Sequence, residues 1–374
     1  MKQLKELEKL GAAGPAARYD FFIQWHLTER CNLRCRHCYQ AGRDDARDGP
    51  DLSPEEIGGV MAEISDALGD WAKRYHMDFS PSFNITGGEP LLRADLRDII
   101  AEAGRLGFDV FLLTNGTLIS RQKARALSDG GVRGVQVSIE GPEEVHDSIR
   151  GIGSFSQAMW GVKNLLDAGL TVTLNATLSG LNAGKMPEMV SLALTMGVQR
   201  LGFSRLVPYG RGLGLVREML TAGQVKAVYE GLLPLNESGQ GLEIVTGDPL
   251  ASQMQVSPPG MAAGGCTSTG GVATGGCAAG ISGFTILADG TMTPCRRLPL
   301  PIGNVRADSI REVWATSPVL EALRDKSRYG GKCGACRRWA SCRGCRAIAY
   351  AFSASRGKGD FLSEDPQCFI DPDE

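Results

Sequence analysis

The chain has 374 residues and a formal net charge of -2, with 43% hydrophobic and 22% charged residues. These values predict a folded globular protein of one large domain or two, and they disfavour a nucleic-acid binder with a broadly basic surface. No apolar run approaches roughly 18 residues and residues 1–10 form no apolar signal core, so we expect a cytoplasmic protein without a membrane span.

Alternating strand and helix patterns occupy the first two thirds of the chain. Six successive βα units predict the α/β class, with a parallel sheet that is open or curled into a partial barrel. Ser53, Pro54 and Glu56 predict a capping box at the first helix. The predicted strands are 21–27, 79–86, 109–114, 134–139, 171–178 and 198–206, and the predicted helices are 52–71, 94–106, 120–128, 155–168, 185–196 and 221–235.

The composition changes in the segment 256–283, which is rich in Gly, Ser and Thr. Such a stretch alone would predict a flexible linker. Because it contains Cys266 and Cys277, we interpret it as a loop wrapped around a metal centre. The Asp289-Gly290 pair that follows lies between two short apolar runs and predicts a β-hairpin.

Eleven cysteines fall in two blocks, one at 31–38 and one at 266–368, and without a signal peptide they predict metal or redox ligands. Cys31, Cys35 and Cys38 form a C-x3-C-x2-C motif directly after the first predicted strand. Three thiolates can hold three corners of a [4Fe–4S] cluster and leave the fourth iron open, whereas electron-transfer clusters take four thiolates. A zinc site with His37 as fourth ligand is the alternative.

This motif resembles that of the radical S-adenosylmethionine (SAM) superfamily, although His37 stands where Phe or Tyr is usual. The resemblance implies a partial (β/α)6 barrel in which SAM chelates the open iron. One electron then cleaves the sulfonium and yields a 5′-deoxyadenosyl radical. The residues implied in SAM binding are Gly87, Gly88, Glu89, Asn115, Ser138, Glu140 and Arg150.

Within that set, the Gly87-Gly88-Glu89-Pro90 segment matches the part of the family that holds the SAM amino group. Arg150 matches the arginine that pairs with the SAM carboxylate, and a surface position is the alternative. The segment 114–117 is as consistent with a plain turn as with direct contact to SAM. Asn175 is as consistent with packing as with a position facing the pocket.

Several candidates share one position in the predicted scaffold. Each lies at or just after the end of a successive strand, and that end of an α/β barrel carries the active site. These residues are Cys31, Gly87, Asn115, Ser138 and Arg205.

The second cysteine block is similar to the SPASM domain, a C-terminal extension that carries two auxiliary Fe–S clusters. The resemblance implies Cys277, Cys295 and Cys345 for auxiliary cluster I, and Cys333, Cys336, Cys342 and Cys368 for auxiliary cluster II. Cys266 would complete cluster I, and an open cluster I is the alternative. A zinc ribbon at 333–345 is a further alternative. Only two residues separate Cys342 from Cys345, where the SPASM pattern has three.

The resemblance therefore implies SAM and three [4Fe–4S] clusters as cofactors. It divides the chain into an N-terminal extension at 1–20, a radical SAM partial barrel at 21–237 and a SPASM domain at 238–374. A flavodoxin- or ferredoxin-type protein is the expected electron donor in an anaerobic setting.

We expect a maturase that abstracts a hydrogen atom from a peptide or protein. The first alternative is a tetrapyrrole substrate, such as a haem d1 or sirohaem-derived precursor, because the segments 205–212 and 359–368 resemble that branch. The second alternative is a non-catalytic Fe–S electron carrier. Arg205, Tyr209 and Arg211 are candidates for binding an acidic substrate or quenching a radical, and a loop position on the surface is the alternative for each.

Overall fold

A computed structural model describes residues 18–40, 50–237, 241–254, 273 and 275–373 of the chain. Most of the N-terminal extension, most of the Gly-rich segment 256–283 and Cys266 lie outside these residues. In the described part, no helix is both long enough and apolar enough to cross a membrane.

A single sheet organises the described residues. Strands β1 to β7 run parallel in chain order, which confirms the predicted α/β class. All six predicted strands are present with ends displaced by three residues or fewer, and β7 was not predicted. The strands are β1 (Arg18–His26), β2 (Asp78–Thr86), β3 (Asp109–Thr114), β4 (Val132–Ser138), β5 (Val172–Leu178), β6 (Arg200–Arg205) and β7 (Glu243–Val245).

Helices connect these strands and cover the sheet. The predicted capping box begins the first helix, since Ser53 Oγ accepts from Glu56 N at 3.2 Å and Glu56 Oε2 accepts from Ser53 N at 2.7 Å. A short helix at Glu143–Arg150 was not predicted. The helices are α1 (Pro54–Tyr75), α2 (Leu96–Arg105), α3 (Arg121–Asp129), α4 (Glu143–Arg150), α5 (Ser154–Asp167), α6 (Met186–Met196) and α7 (Ala222–Leu232).

The cysteine-rich region continues the same sheet. Its first strand, β8 (Gly283–Ile286), pairs parallel with β1, and β9 (Thr291–Thr293) and β10 (Gly303–Asn304) follow antiparallel. The predicted hairpin is therefore present, with Asp289-Gly290 between β8 and β9. Four short helices complete the region: α8 (Ile310–Thr316), α9 (Pro318–Leu323), α10 (Gly331–Ala335) and α11 (Arg346–Ala354).

Aromatic packing joins the two regions around β1. The ring centroid of Phe21 lies 6.1 Å from that of Trp71 in α1 and 5.1 Å from that of Trp314 in α8, and both pairs have edge-to-face geometry. Phe284 of β8 packs on Phe21 at 6.2 Å. Such pairs add about 0.5–1.5 kcal/mol each beyond the burial of their area. The cysteine-rich region is thus held in fixed relation to the first strand, whose far end leads into Cys31.

Candidate active site

A cavity of about 260 Å³ opens at the carboxyl ends of the parallel strands. The five strand-end candidates all line it, together with Cys35, Cys38 and Asn175. Because parallel strands bring their carboxyl ends to one edge, residues far apart in sequence meet here. The strand-end candidates are Cys31, Gly87, Asn115, Ser138 and Arg205.

The cysteine loop is fixed by backbone contacts on two sides. Arg36 N donates to Ile149 O at 2.8 Å, which ties the loop to α4. Arg211 holds the other side, with its backbone N 3.0 Å from Cys38 O and its Nε 2.9 Å from Cys35 O. The segment after β6 is thus the support of the loop, and Arg211 contributes to that support.

The three thiols fit an iron–sulfur cluster by their chemistry and placement. All three cysteines are free and line the same cavity. Burial raises the pKa of the Cys35 thiol, and the charge of Arg150, whose Nη1 lies 3.7 Å from Cys35 Sγ, opposes that rise. A nearby cation favours the thiolate that a metal requires. His37 Nε2 lies 3.2 Å from Glu140 Oε1, while its Nδ1 is buried without a hydrogen-bond partner among the described residues. Histidines that bind metals often hold a carboxylate with the second ring nitrogen, so this geometry does not exclude the zinc alternative.

The two glycines of the Gly87-Gly88-Glu89-Pro90 segment allow it to lie against the chain that leads to Cys31. Gly88 N donates to Thr28 O at 2.7 Å, and Glu89 N donates to Arg30 O at 2.8 Å. A Cβ on Gly87 would lie 2.4 Å from Thr28 O, and one on Gly88 would lie 2.2 Å from Arg30 O. Any side chain here would push the segments apart.

Glu89 has a different environment from the one that its motif predicts. Its carboxylate is fully buried and accepts from Thr114 Oγ1 at 2.8 Å, Asn115 N at 2.9 Å and Leu91 N at 3.2 Å. Burial raises the pKa of Glu89, and these hydrogen bonds oppose the rise. Glu89 therefore positions the turn after β3, while Gly87, Gly88 and Asn115 line the cavity.

Arg150 and Glu140 form a buried ion pair beside the cysteine loop. Arg150 Nε and Nη2 lie 2.9 and 2.5 Å from Glu140 Oε1, and Glu140 Oε2 accepts from Thr177 N at 2.8 Å. Burial would raise the pKa of Glu140, but the charges of Arg150 and His37 hold it well below its usual range. One face of the Arg150 side chain thus lines the cavity, while Glu140 binds the other face of the guanidinium.

Arg205 lines the cavity, but its guanidinium is bound to other side chains of the protein. Its side chain is fully buried, with Nε and Nη2 on Asp248 at 2.7 and 3.2 Å. Nη1 and Nη2 donate to Asp365 at 2.9 and 2.8 Å, and Nη1 donates to Gln367 at 3.0 Å. All five N–H donors of the guanidinium are therefore used. The predicted surface alternative for Arg205 is therefore wrong, and its buried guanidinium holds protein carboxylates instead of facing solvent.

Four of the later cysteines surround a second, smaller cavity. Cys333, Cys336, Cys342 and Cys368 all line it, and they are the four that the sequence assigned to auxiliary cluster II. Arg346 Nη2 lies 3.4 Å from Cys333 Sγ, so a cation accompanies this set as well. The four cysteines thus line one cavity, although no three ligands among the described residues are close enough to hold a single metal ion.

The shortened spacing between Cys342 and Cys345 is accommodated by a left-handed turn. Arg343 and Gly344 have φ angles of 65° and 59°. The Arg343 guanidinium also donates to Cys277 O at 2.7 Å, which draws the Cys277 loop onto this turn. Cys342 lines the smaller cavity, while Cys345 packs in a separate buried cluster with Leu298 and Ile348.

The three cysteines assigned to auxiliary cluster I are also neighbours. Burial raises the pKa of the Cys345 thiol to about 12. The nearby Cys277 raises this pKa further, and the charge of Arg297 lowers it. Arg297 interacts electrostatically with both Cys345 and Cys295. Cys266, the expected fourth ligand, lies outside the described residues, so its role stays a prediction.

The large cavity carries an excess of positive charge. Six arginines line it, and Glu29 is the acidic residue on its wall. Carboxylates neutralise Arg150 and Arg205. In the described part of the chain, no carboxylate lies within 4.0 Å of the other four guanidinium groups. These belong to Arg34, Arg211, Arg296 and Arg297.

Sequence reasoning missed three of these arginines. Arg34 directly precedes Cys35, and Arg296 and Arg297 directly follow Cys295. Arginines beside ligand cysteines were the available signal, because any residue next to a ligand must lie near the site.

Comparison with known families agrees with this site. The model of the radical SAM superfamily matches residues 25–193, and that of the SPASM iron–sulfur cluster-binding domain matches residues 277–346. The chain belongs to the radical SAM superfamily. It is a radical SAM enzyme with a SPASM domain, as its motifs predicted.

Curated relatives of this radical SAM enzyme extend over nearly its whole length. An AdoMet-dependent heme synthase of Oleidesulfovibrio alaskensis is 30% identical, over 96% of this chain and 88% of that protein. A pre-heme d1 synthase of Dinoroseobacter shibae is 31% identical, over 93% and 86%. A mycofactocin maturase of Mycobacterium ulcerans is 30% identical, over 92% and 87%. Tetrapyrrole enzymes and peptide maturases are thus both among its relatives.

Solved radical SAM structures share the fold. Streptococcus suis SuiB bound to S-adenosylmethionine superposes with a TM-score of 0.69 at 16% identity, covering 99% of this chain and 81% of that one. The enzyme anSMEcpe with bound AdoMet and the Kp18Cys peptide superposes with a TM-score of 0.70 at 18% identity, covering 93% and 94%. The predicted radical SAM fold with a SPASM region is confirmed.

Proposed function

We propose that this enzyme reductively cleaves SAM and abstracts a hydrogen atom from a side chain of a tetrapyrrole that bears several carboxylates. The observation that carries the proposal is the cavity itself, in which three free thiols line the same space as four arginines that have no carboxylate partner among the described residues. The thiols supply the site of SAM cleavage, and the arginines supply attraction for an acidic substrate.

Cys31, Cys35 and Cys38 would hold the catalytic [4Fe–4S] cluster. When bound, that cluster supplies the electron that splits SAM into methionine and a 5′-deoxyadenosyl radical. Gly87 and Gly88 offer the backbone of the segment after β2 to the SAM amino group.

Other side chains complete the proposed SAM site. Asn115 and Ser138 line the cavity at the ends of β3 and β4, where they face the nucleoside. Arg150 keeps its Glu140 partner and presents its remaining face to the cavity. That arrangement holds the guanidinium in place before SAM arrives, which lowers the entropy lost on binding.

The positive charge of the cavity and the named relatives of this chain support a tetrapyrrole substrate. Haem precursors carry several ionised carboxylates, and guanidinium groups bind carboxylates through paired hydrogen bonds. Relatives named heme synthase and pre-heme d1 synthase align over more than nine tenths of this chain. A hydrogen atom transferred from such a substrate would convert the radical to 5′-deoxyadenosine.

A peptide or protein substrate, which the sequence led us to expect, is the second candidate. Its support is the 30% identity to a mycofactocin maturase. The charge of the cavity favours it less, because an ordinary peptide carries fewer carboxylates than the four arginines that have no carboxylate partner among the described residues. The electron-carrier alternative is set aside by the membership of this chain in an enzyme superfamily.

The two later cysteine sets would hold auxiliary clusters I and II, which brings the proposed total to three [4Fe–4S] clusters and about twelve irons per chain. These clusters need reduction from outside, and a flavodoxin- or ferredoxin-type protein is the proposed donor.

The test is anaerobic reconstitution with iron and sulfide, followed by dithionite, SAM and chromatography for 5′-deoxyadenosine. We expect slow formation alone and faster formation with iron coproporphyrin III. The variant with Cys31, Cys35 and Cys38 all changed to Ala should form none. Stimulation by a maturase-type precursor peptide instead of the porphyrin would favour the second candidate. Clusters that assemble without any SAM cleavage would refute the catalytic role.

A further inference from the structure

We infer that Arg296 and Arg297 form a carboxylate-binding subsite, through which the SPASM region holds the acidic side chains of the substrate. This inference rests on the proposed function, since it takes the substrate to be a polycarboxylate tetrapyrrole. Arg296 and Arg297 would bind that substrate, and both belong to the wall of the cavity that the cysteine-rich region forms.

The position of the pair is fixed by the barrel. Arg296 N donates to Gln24 Oε1 at 3.3 Å, and the same oxygen accepts from Thr285 Oγ1 at 3.3 Å. Gln24 belongs to β1, whose end leads into the cysteine loop. The backbone after Cys295 is therefore anchored to the strand that carries the catalytic thiols, and both guanidinium groups line the catalytic cavity.

The two arginines are half-buried but lack the anions that neighbouring arginines have. Arg297 Nη1 donates to Arg205 O at 3.3 Å, and no carboxylate of the described residues lies within 4.0 Å of the Arg297 guanidinium. The Arg296 guanidinium makes no hydrogen bond or ion pair within the described residues. Removing a guanidinium from water without a partner is costly, so an anion arriving in the cavity would stabilise the pair.

The number and distribution of cations exceed what SAM requires. SAM brings one carboxylate, and Arg150 already stands beside the cysteine loop. Arg34 and Arg211 lie on the loop side of the cavity, while Arg296 and Arg297 come from the cysteine-rich side. A flat molecule with carboxylates on more than one edge contacts both walls at once, and a single acidic residue of a peptide does not.

The test measures porphyrin binding, without SAM and without turnover, on the anaerobically reconstituted full chain. Coproporphyrin III is titrated by absorbance, and mesoporphyrin, which carries fewer propionates, is the matched ligand. Arg296→Gln should weaken coproporphyrin binding about tenfold and Arg296→Gln/Arg297→Gln about a hundredfold, since each charge-assisted contact contributes about a factor of ten. Arg133→Gln removes an exposed ion pair elsewhere and should change nothing.

Two further measurements separate the possible failures. Mesoporphyrin should lose less affinity than coproporphyrin in the double variant, because it has fewer carboxylates to lose. Arg296→Gln removes no contact within the described residues, so this variant remains informative if the double variant does not fold. Lysine at both positions should restore part of the affinity, since charge is kept and the paired geometry is lost.

Unchanged coproporphyrin affinity in Arg296→Gln and in the double variant would overturn the subsite. A loss of SAM affinity with porphyrin affinity intact would also overturn it and assign the pair to SAM. Because binding is measured without SAM, failure of the wild-type chain to cleave SAM would refute the proposed function and leave this result standing.

Discussion

Replacing Arg205 by methionine removes the cation from the most enclosed charge network in the described structure. The methionine fills similar space, but it leaves Asp248 and Asp365 facing each other without a counter-ion. Asp365 also accepts from Cys345 N at 2.8 Å. We expect the change to destabilise the fold and to loosen the segment that carries Cys345.

The magnitude follows from burial. Arg205 and Asp365 are fully enclosed and Asp248 is 4% exposed at its side chain, so breaking the network costs about 3–5 kcal/mol. Arg200 is the matched control on the same strand, because its ion pair with Glu243 is 42% and 54% exposed. Arg200→Gln should therefore cost about 0–1 kcal/mol.

The assay is anaerobic urea unfolding of the reconstituted protein, followed by far-ultraviolet circular dichroism. Arg205→Met should lower the unfolding midpoint far more than Arg200→Gln. Adding Asp248→Asn and Asp365→Asn should recover part of the loss, because the uncompensated charges are then removed. Equal midpoints for the two arginine variants would refute the structural role of Arg205.

The pH dependence supplies a second readout. Burial raises the pKa of Asp365, but Arg205 and the hydrogen bonds more than offset it, so the pKa lies below its usual value. This carboxylate stabilises the wild-type fold above the unfolded pKa of about 3.9, and that contribution is lost as pH falls through the folded value. In Arg205→Met, only the hydrogen bonds from Cys345 N and Gln367 N still oppose burial, so the Asp365 pKa should rise and the deficit in stability should shrink as pH falls from about 7 to about 5. A constant deficit would contradict this.

Two further predictions concern the cluster sites. Gly88→Ala would place a Cβ 2.2 Å from Arg30 O, so we expect lower iron content and loss of SAM cleavage. Gly58→Ala in α1 meets nothing within 4 Å and should stabilise the protein by about 0.5–1 kcal/mol. A Gly88→Ala protein with full iron content would contradict the packing argument. Cys368→Ala should lose about four irons per chain, measured by iron assay and electron paramagnetic resonance, and an unchanged iron content would exclude Cys368 as a ligand.

The sequence alone predicted most of the scaffold and brought the cysteine motif and the strand-end residues to one candidate cavity. Strand and helix patterns depend on local hydrophobic periodicity, so β3 at Asp109–Thr114 was predicted at its observed bounds. The resemblance to the SPASM domain implied the four cysteines of auxiliary cluster II, and their thiols do line one cavity. Strand-end residues converge because parallel strands align their carboxyl ends, which is a property of the fold class.

What only the tertiary structure decided is which charged groups are neutralised. Arg205 meets Asp248 and Asp365, which are 43 and 160 residues away along the chain. Glu89 is enclosed by the turn after β3, and Arg296 has no carboxylate partner in the described residues. A charge is neutralised by whatever lies within a few ångströms, and chain spacing does not determine that neighbour. Sequence reasoning named three of the six arginines that line this cavity, and the fold separated Arg205, which holds the protein together, from those that lack a carboxylate partner among the described residues.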